Sequence, residues 1–331
     1  MQNPKVYKVE VSAKTIIFTV VLILFLVLVW TMRDLLLSLF LAFILTSTVK
    51  PLVSRLKKAG IPRQISVIGI FFLLICLFGI TSYWVFPPLI NETTMLAGHL
   101  PAMLKTLNPS LFKAFNLSAA FQYAPNITNQ VIEFVQTFFS NFTFLVTTLF
   151  FAIYMTIDEM FLKNTLGNFF GEEEMIRVTQ IIEKTERRLG SWLVGELLLM
   201  LIVGSMTFIG LTAIGVRYAL PLAIIAGLLE IVPNIGPILS AVPAFIVAIA
   251  QSSFLGIASI VLYVIVQQLE NHIAVPLIMK RVIGLSPIIT LISLIIGGRF
   301  FGILGVLLSI PFTLFVQTLL REVTSAQQKK K

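Results

Sequence analysis

Apolar residues in this chain run nearly unbroken over stretches whose lengths suit a crossing of ~30 Å of hydrocarbon. These stretches fall at 15–32, 35–49, 64–86, 139–157, 191–214, 218–250, 254–275 and 282–320. Two of them, 218–250 and 282–320, are too long for one straight helix at about 1.5 Å per residue. Each carries a breaker near its middle: Pro233-Asn234-Ile235-Gly236-Pro237 in the first, Gly297-Gly298-Arg299-Phe300-Phe301-Gly302 in the second. Both therefore read as helix–break–helix hairpins. The expectation is an all-α polytopic transmembrane helical bundle of about eight membrane segments, two of them broken hairpins. Between the runs, 87–138 shows apolar positions at helical spacing, Leu96, Leu100, Met103, Leu104 and Leu107. That pattern predicts extracytoplasmic amphipathic helices. Residues 172–190 open on Glu172–Glu174 and close on Lys184, Arg187 and Arg188, which suits a cytoplasmic amphipathic helix and its dipole. The chain divides on this reading into N-terminal membrane helices at 1–86, the segment 87–138, and a membrane transport core at 139–331.

Composition agrees, with 57% hydrophobic and 12% charged residues, where soluble domains carry roughly 25% charged. A net charge of +9 raises the question of nucleic acid. The basic residues form no single face, however, and sit in short clusters between apolar runs, so a nucleic-acid partner is not expected. They do set sidedness. With the N-terminus cytoplasmic, all of the 24 Lys and Arg residues except Arg33, Lys105, Lys113, Arg217 and Arg299 fall on the cytoplasmic side. Both termini are then cytoplasmic. Cys76, the single cysteine, lies inside an apolar run and can form no intrachain disulfide. The first run is followed by Arg33-Asp34 and a second run rather than a small-residue cleavage site, so no removal of a leader is expected.

The motifs of H-E-x-x-H metalloproteases, P-loops and G-x-S-x-G hydrolases are missing, and two histidines with one cysteine cannot build a Cys/His metal centre. The chain reads as no enzyme, with no metal and no cofactor. A transporter driven by an ion gradient, or a channel, remains. Polar residues inside apolar runs then mark the path, because a charge at depth costs several kcal/mol unless it is paired or hydrated. Glu230 precedes the break at Pro233, Asn234, Gly236 and Pro237, and broken helices supply the ion and substrate sites of transporters. The same residues also suit a plain tight turn with a capping carboxylate. Gln267, Gln268, Glu270, Asn271 and His272 form the densest polar group in any apolar run. They could hold a protonatable carboxylate, or end a helix at the headgroups. Arg299 could pair a carboxylate or anion, or snorkel outward. Asp158 and Glu196 fit helix-end or salt-bridge roles better than transport. The two breaks have opposite sense, as in an inverted-repeat transporter.

In its C-terminal half the chain resembles the autoinducer-2 exporter family of bacterial and archaeal membrane proteins. The residues that carry the likeness are Asp158, Gly195 in Trp192-Leu193-Val194-Gly195-Glu196, Glu230 through Pro237, and Gln268 through Pro276. Gly284-Leu285-Ser286-Pro287 and Gly297 through Gly305, leading to Pro311, continue it. Glu196 departs from the pattern, which in many relatives has glutamine after that glycine, and this departure marks it for a pairing or protonation role. The resemblance implies ion-coupled export of a small molecule such as an autoinducer-2-like signal, or sodium–proton antiport, in the cytoplasmic membrane of a prokaryote. Membrane lipid and a small-molecule or ion substrate are the expected partners, and a homo-oligomer the expected assembly. A rival reading is a non-transporting membrane scaffold that binds partners through 87–138 and 172–190.

Overall fold

A computed structural model describes residues 13–80, 82, 83, 87, 142–158, 172–233, 235–279 and 285–328. The predicted surface helices of 87–138 lie outside the described residues apart from Pro87, and so does Asn234. The described part is all helical, in the order α1 Ala13–Thr31, α2 Arg33–Lys58, α3 Arg63–Ile80, α4 Phe142–Ile157, α5 Glu172–Ala213, α6 Ala219–Leu229, α7 Ile235–Gln251 and α8 Ser253–Leu269. A π-helical turn, Glu270–Ala274, joins α8 to the short α9, Val275–Ile278, and α10 spans Pro287–Gln328. Among these, six helices are long and apolar enough to cross a membrane.

The surface is apolar, which no water-facing fold of this size would keep. Phe72, Leu201, Leu277 and Ile288 are all about two-thirds exposed, and α1 buries no residue at all. Such a surface belongs against hydrocarbon, where every backbone group must be paired within a helix. Polar side chains follow the same rule. Thr48, Thr156, Thr185, Thr313 and Thr318 each donate to the carbonyl four residues earlier.

Among the described residues, three packed cores organise the bundle. Ala42, Val49 and Val53 of α2 meet Val67 and Phe71 of α3 and Ala152 and Met155 of α4. Ile44 of α2, Leu189, Trp192 and Leu199 of α5, Met279, and Leu308 and Leu314 of α10 form a second core. The third joins Leu211 of α5, Leu222 and Ala226 of α6, Ala244 and Val247 of α7 and Tyr263 of α8. Polar links tie the N-terminal half of α5 to its neighbours: Lys50 pairs with Glu186, Lys184 with Glu322 at 2.6 Å, and Arg188 donates to Gln317 and Thr318.

The amphipathic stretch 172–190 and the apolar run 191–214 are one continuous helix of 42 residues, not two elements. Gly190 explains why no break was needed at the junction. It packs on the backbone of Ser47, where a Cβ would stand 2.5 Å from the carbonyl oxygen. Gly190→Val is expected to cost about 1–3 kcal/mol by overpacking, read as a lower unfolding midpoint in detergent. Gly69→Val, on an open face of α3, is the control. An unchanged midpoint at position 190 would show that α2 and α5 do not touch so closely.

The two long runs fold back as hairpins. In α10 the turn is at Gly302, whose φ of 59° and ψ of −142° suit glycine alone. Its arms close so that Gly297 and Gly305 are in backbone contact, and Thr313 donates to Ser293 at 2.7 Å. Helix α8 continues past the expected stop at Pro276. The Val275 amide reaches back five residues to the Glu270 carbonyl, and this wider turn absorbs the proline, which has no amide hydrogen to give.

A buried carboxylate cluster at the first helix break

Three glutamates from three different elements meet inside the bundle. Glu196 and Glu230 are each 2% exposed and Glu270 is 3% exposed. Close backbone approach brings them together. Gly227 of α6 sits against Gly204 and the Met200 carbonyl of α5, and a Cβ there would be 2.8 Å from that oxygen. With α5 and α6 this tight, Glu196, one turn before Met200, comes level with Glu230, just past Gly227. On the other side of Glu196, Gly195 lets the Met279 thioether approach to where a Cβ would stand 2.8 Å from sulfur. That contact draws the π turn, which begins at Glu270, onto α5.

Glu230 and Glu270 lie within hydrogen-bonding reach of one another, and both their charges and that of Glu196 interact. A hydrogen bond between two carboxyl groups needs a proton on one of them, because ionised carboxylates only accept. Gln267 donates to Glu270 Oε2 at 3.1 Å. Glu196 Oε1 and Glu230 Oε2 are buried with no hydrogen-bond partner. No described Lys or Arg pairs with any of the three. Removing an ion from water costs several kcal/mol, so three ionised carboxylates without a countercharge would not stay packed.

The break itself is compact. Helix α6 ends as the amides of Ile231 and Val232 turn back on Leu228 and Leu229, and the Gly236 amide bonds the Val232 carbonyl at 2.8 Å. Gly236 and Pro237 are buried and Pro233 is half-buried. Gly236 rests directly on the carbonyl of Leu229, next to the Glu230 amide. Glu230 thus sits where a helix end, a turn and a buried acid coincide.

The other candidates divide. Gln268, Asn271 and His272 are exposed, with the His272 ring 3.0 Å from the Gln268 carbonyl, so the dense polar group splits between an inward and an outward face. Arg299 is exposed beside the α10 turn, and Asp158 is exposed at the end of α4. Neither approaches the cluster. Gln267, which orients Glu270, was visible as a polar residue one turn ahead on the same face. The departure from glutamine singled out Glu196, but not its place beside Glu230, since that comes from contacts of Gly195, Gly204 and Gly227.

The fold is that of a polytopic membrane protein with buried acids beside a broken helix. The chain belongs to the AI-2E family of transporters, whose sequence profile matches residues 18–325. It is 28% identical over 281 residues to YueF of Bacillus subtilis (strain 168), whose name describes it provisionally as a transport protein; the match covers 78% of this chain and 76% of that one. It is 26% identical over 302 residues to YrrI of the same organism, similarly named, covering 86% and 84%. It is also 27% identical over 309 residues to the AI-2 transport protein TqsA of Escherichia coli (strain K12), covering 88% and 86%.

Proposed function

We propose that this protein is a proton-coupled exporter of a small organic molecule, with Glu230 and Glu270 as the coupling pair and Glu196 as their neighbour. The name of the TqsA relative makes an AI-2-type signalling molecule the first substrate to try. One observation carries the reading: acids on three elements are buried together, two of them close enough to share a proton, beside a helix break. Protonated, the cluster is neutral and can be enclosed by apolar helices. Deprotonated, it requires water or a cation, which favours an opened arrangement. That alternation is what couples proton movement to a change of access. Pro233, Gly236 and Pro237 form the wall of the path next to Glu230. Gln268, Asn271 and Arg299 then lie at its mouths rather than at the cluster.

The test is flux into proteoliposomes under an imposed proton or sodium gradient. Uptake of an AI-2-type furanone driven by a proton gradient supports export. Sodium counterflow against protons with no organic substrate would instead make the protein an antiporter using the same acids.

The proposed sidedness places both termini in the cytoplasm of a prokaryotic cell, the protein spanning its cytoplasmic membrane. Cysteine labels at 58 and 180 are expected to react only from the cytoplasm, and a label at 217 only from outside. Reaction at 217 from the cytoplasm would reverse the orientation of the whole bundle. A homo-oligomer is the proposed assembly, read from light scattering of the detergent-solubilised protein.

A further inference from the structure

Above the carboxylates, the four-helix unit α5–α8 holds a second set of polar groups. Thr207 of α5 is 1% exposed and Tyr263 of α8 is 8% exposed, and neither hydroxyl has a hydrogen-bond partner of ordinary geometry. Thr207 shares this with Thr148 of α4, whose buried hydroxyl is likewise unpartnered, whereas Thr156, Thr185 and Thr318 bond the carbonyl four residues back. Tyr263 lies beside Ser240 of α7, whose own hydroxyl is given to the Pro237 carbonyl in the break at 3.0 Å. Ser259, one turn from Tyr263, is also buried and gives its hydroxyl to Gly256.

These residues fall in order along antiparallel helices. Gly195 meets Met279 at one end of α5, while Gly210 meets Leu262 further along, so Thr207 stands near the level of Tyr263. From Glu270 to Tyr263 is seven residues, or about 10 Å, and from Glu196 to Thr207 is eleven, or about 16 Å. The titratable groups on this inner surface are Glu196, Glu230, Glu270 and Tyr263, and no described Lys or Arg pairs with them. Two orphaned, buried hydroxyls, Thr207 and Tyr263, near Ser240 and Ser259 call for water, which bonds two to four polar groups at such sites.

We infer that a hydrated track runs inside α5–α8 from the carboxylate cluster past Ser240 and Tyr263 to Thr207 and Ser259, and that it carries protons to and from Glu230 and Glu270. The track rests on the proposed coupling role of those acids for its purpose, but its existence can be tested apart from it. A hydroxyl both gives and takes a proton, so Tyr263 can pass one between waters on either side of it. Thr207 and Ser259 hold the water column without titrating.

Radiolytic hydroxyl-radical footprinting of the wild-type protein in detergent is the first measurement. Buried side chains are modified where water sits against them. Tyr263, 8% exposed, is expected to be modified about tenfold faster than Phe71, which is 1% exposed and packs among apolar side chains of α2–α4. The second measurement is proton flux in proteoliposomes of phosphatidylethanolamine and phosphatidylglycerol with an entrapped pH dye. Tyr263→Phe, with normal insertion, is expected to slow it about tenfold. Protection of Tyr263 equal to that of Phe71 overturns the track, and so does wild-type flux in Tyr263→Phe. Rapid labelling and a slow Tyr263→Phe, together with unaffected Glu230→Gln and Glu270→Gln, would uphold the track and reject the coupling pair.

Discussion

Glu230→Gln and Glu270→Gln are each expected to reduce gradient-driven flux to that of protein-free vesicles while the protein still inserts and unfolds at a normal temperature. Glutamine keeps the size of the side chain and both kinds of hydrogen bond, and removes only the ability to gain and lose a proton. The carboxyl pair that now needs a shared proton would become an amide–carboxyl pair, in which the amide donates permanently. Packing should therefore survive, because the amide keeps a hydrogen bond to the remaining carboxyl and one burden of buried charge is removed. Glu196 provides an internal contrast. It lies within reach of the other two charges but outside their hydrogen bond, and the family resemblance puts glutamine at this place in many relatives. Glu196→Gln is expected to retain most of the flux. The measurement is pH-jump-driven flux normalised to folded protein. Equal, pH-dependent flux in Glu230→Gln and Glu270→Gln would remove both from the mechanism.

Gly236→Ala is expected to damage both stability and flux, and for a reason different from that of the carboxylates. The glycine lies on the Leu229 carbonyl with no room for a methyl group, so the start of α7 must move away from the end of α6. Overpacking of this kind costs about 1–3 kcal/mol, and the displacement falls next to Glu230. Pro233→Ala isolates the other property of the break. Pro233 is half-buried and restricts the turn, so its replacement should leave the unfolding free energy within about 1 kcal/mol of wild type. If flux falls in Pro233→Ala despite normal stability, the fixed geometry of the break serves transport. Should Gly236→Ala fold and transport normally, the hairpin is not closed as described.

Much of the architecture was legible in the chain because membrane helices obey one simple constraint. With no water to satisfy the backbone, an apolar run of sufficient length has to be helical, whatever surrounds it. The eight runs, the doubling back of 218–250 and 282–320, and the breakers at their turns, prolines with a glycine in the first and glycines in the second, follow from length and breakers alone. Local pattern could not show that 172–190 joins 191–214 as one helix, because a change from amphipathic to apolar sequence resembles a boundary. The contact of Gly190 with Ser47 and the links from Lys184, Glu186 and Arg188 hold it straight. Nor could spacing along α8 say which of Gln268, Glu270, Asn271 and His272 turns inward, since that depends on the rotation imposed by Met279 against Gly195. By itself, then, the sequence determined the membrane class, the helical runs and the two breaks, all of which depend on hydrophobicity and on residues that cannot continue a helix. Only the tertiary structure decided that Glu196, Glu230 and Glu270 share one buried site. Their meeting depends on glycine contacts between segments up to 84 positions apart, from Gly195 to Met279, and no local period encodes a contact at that range.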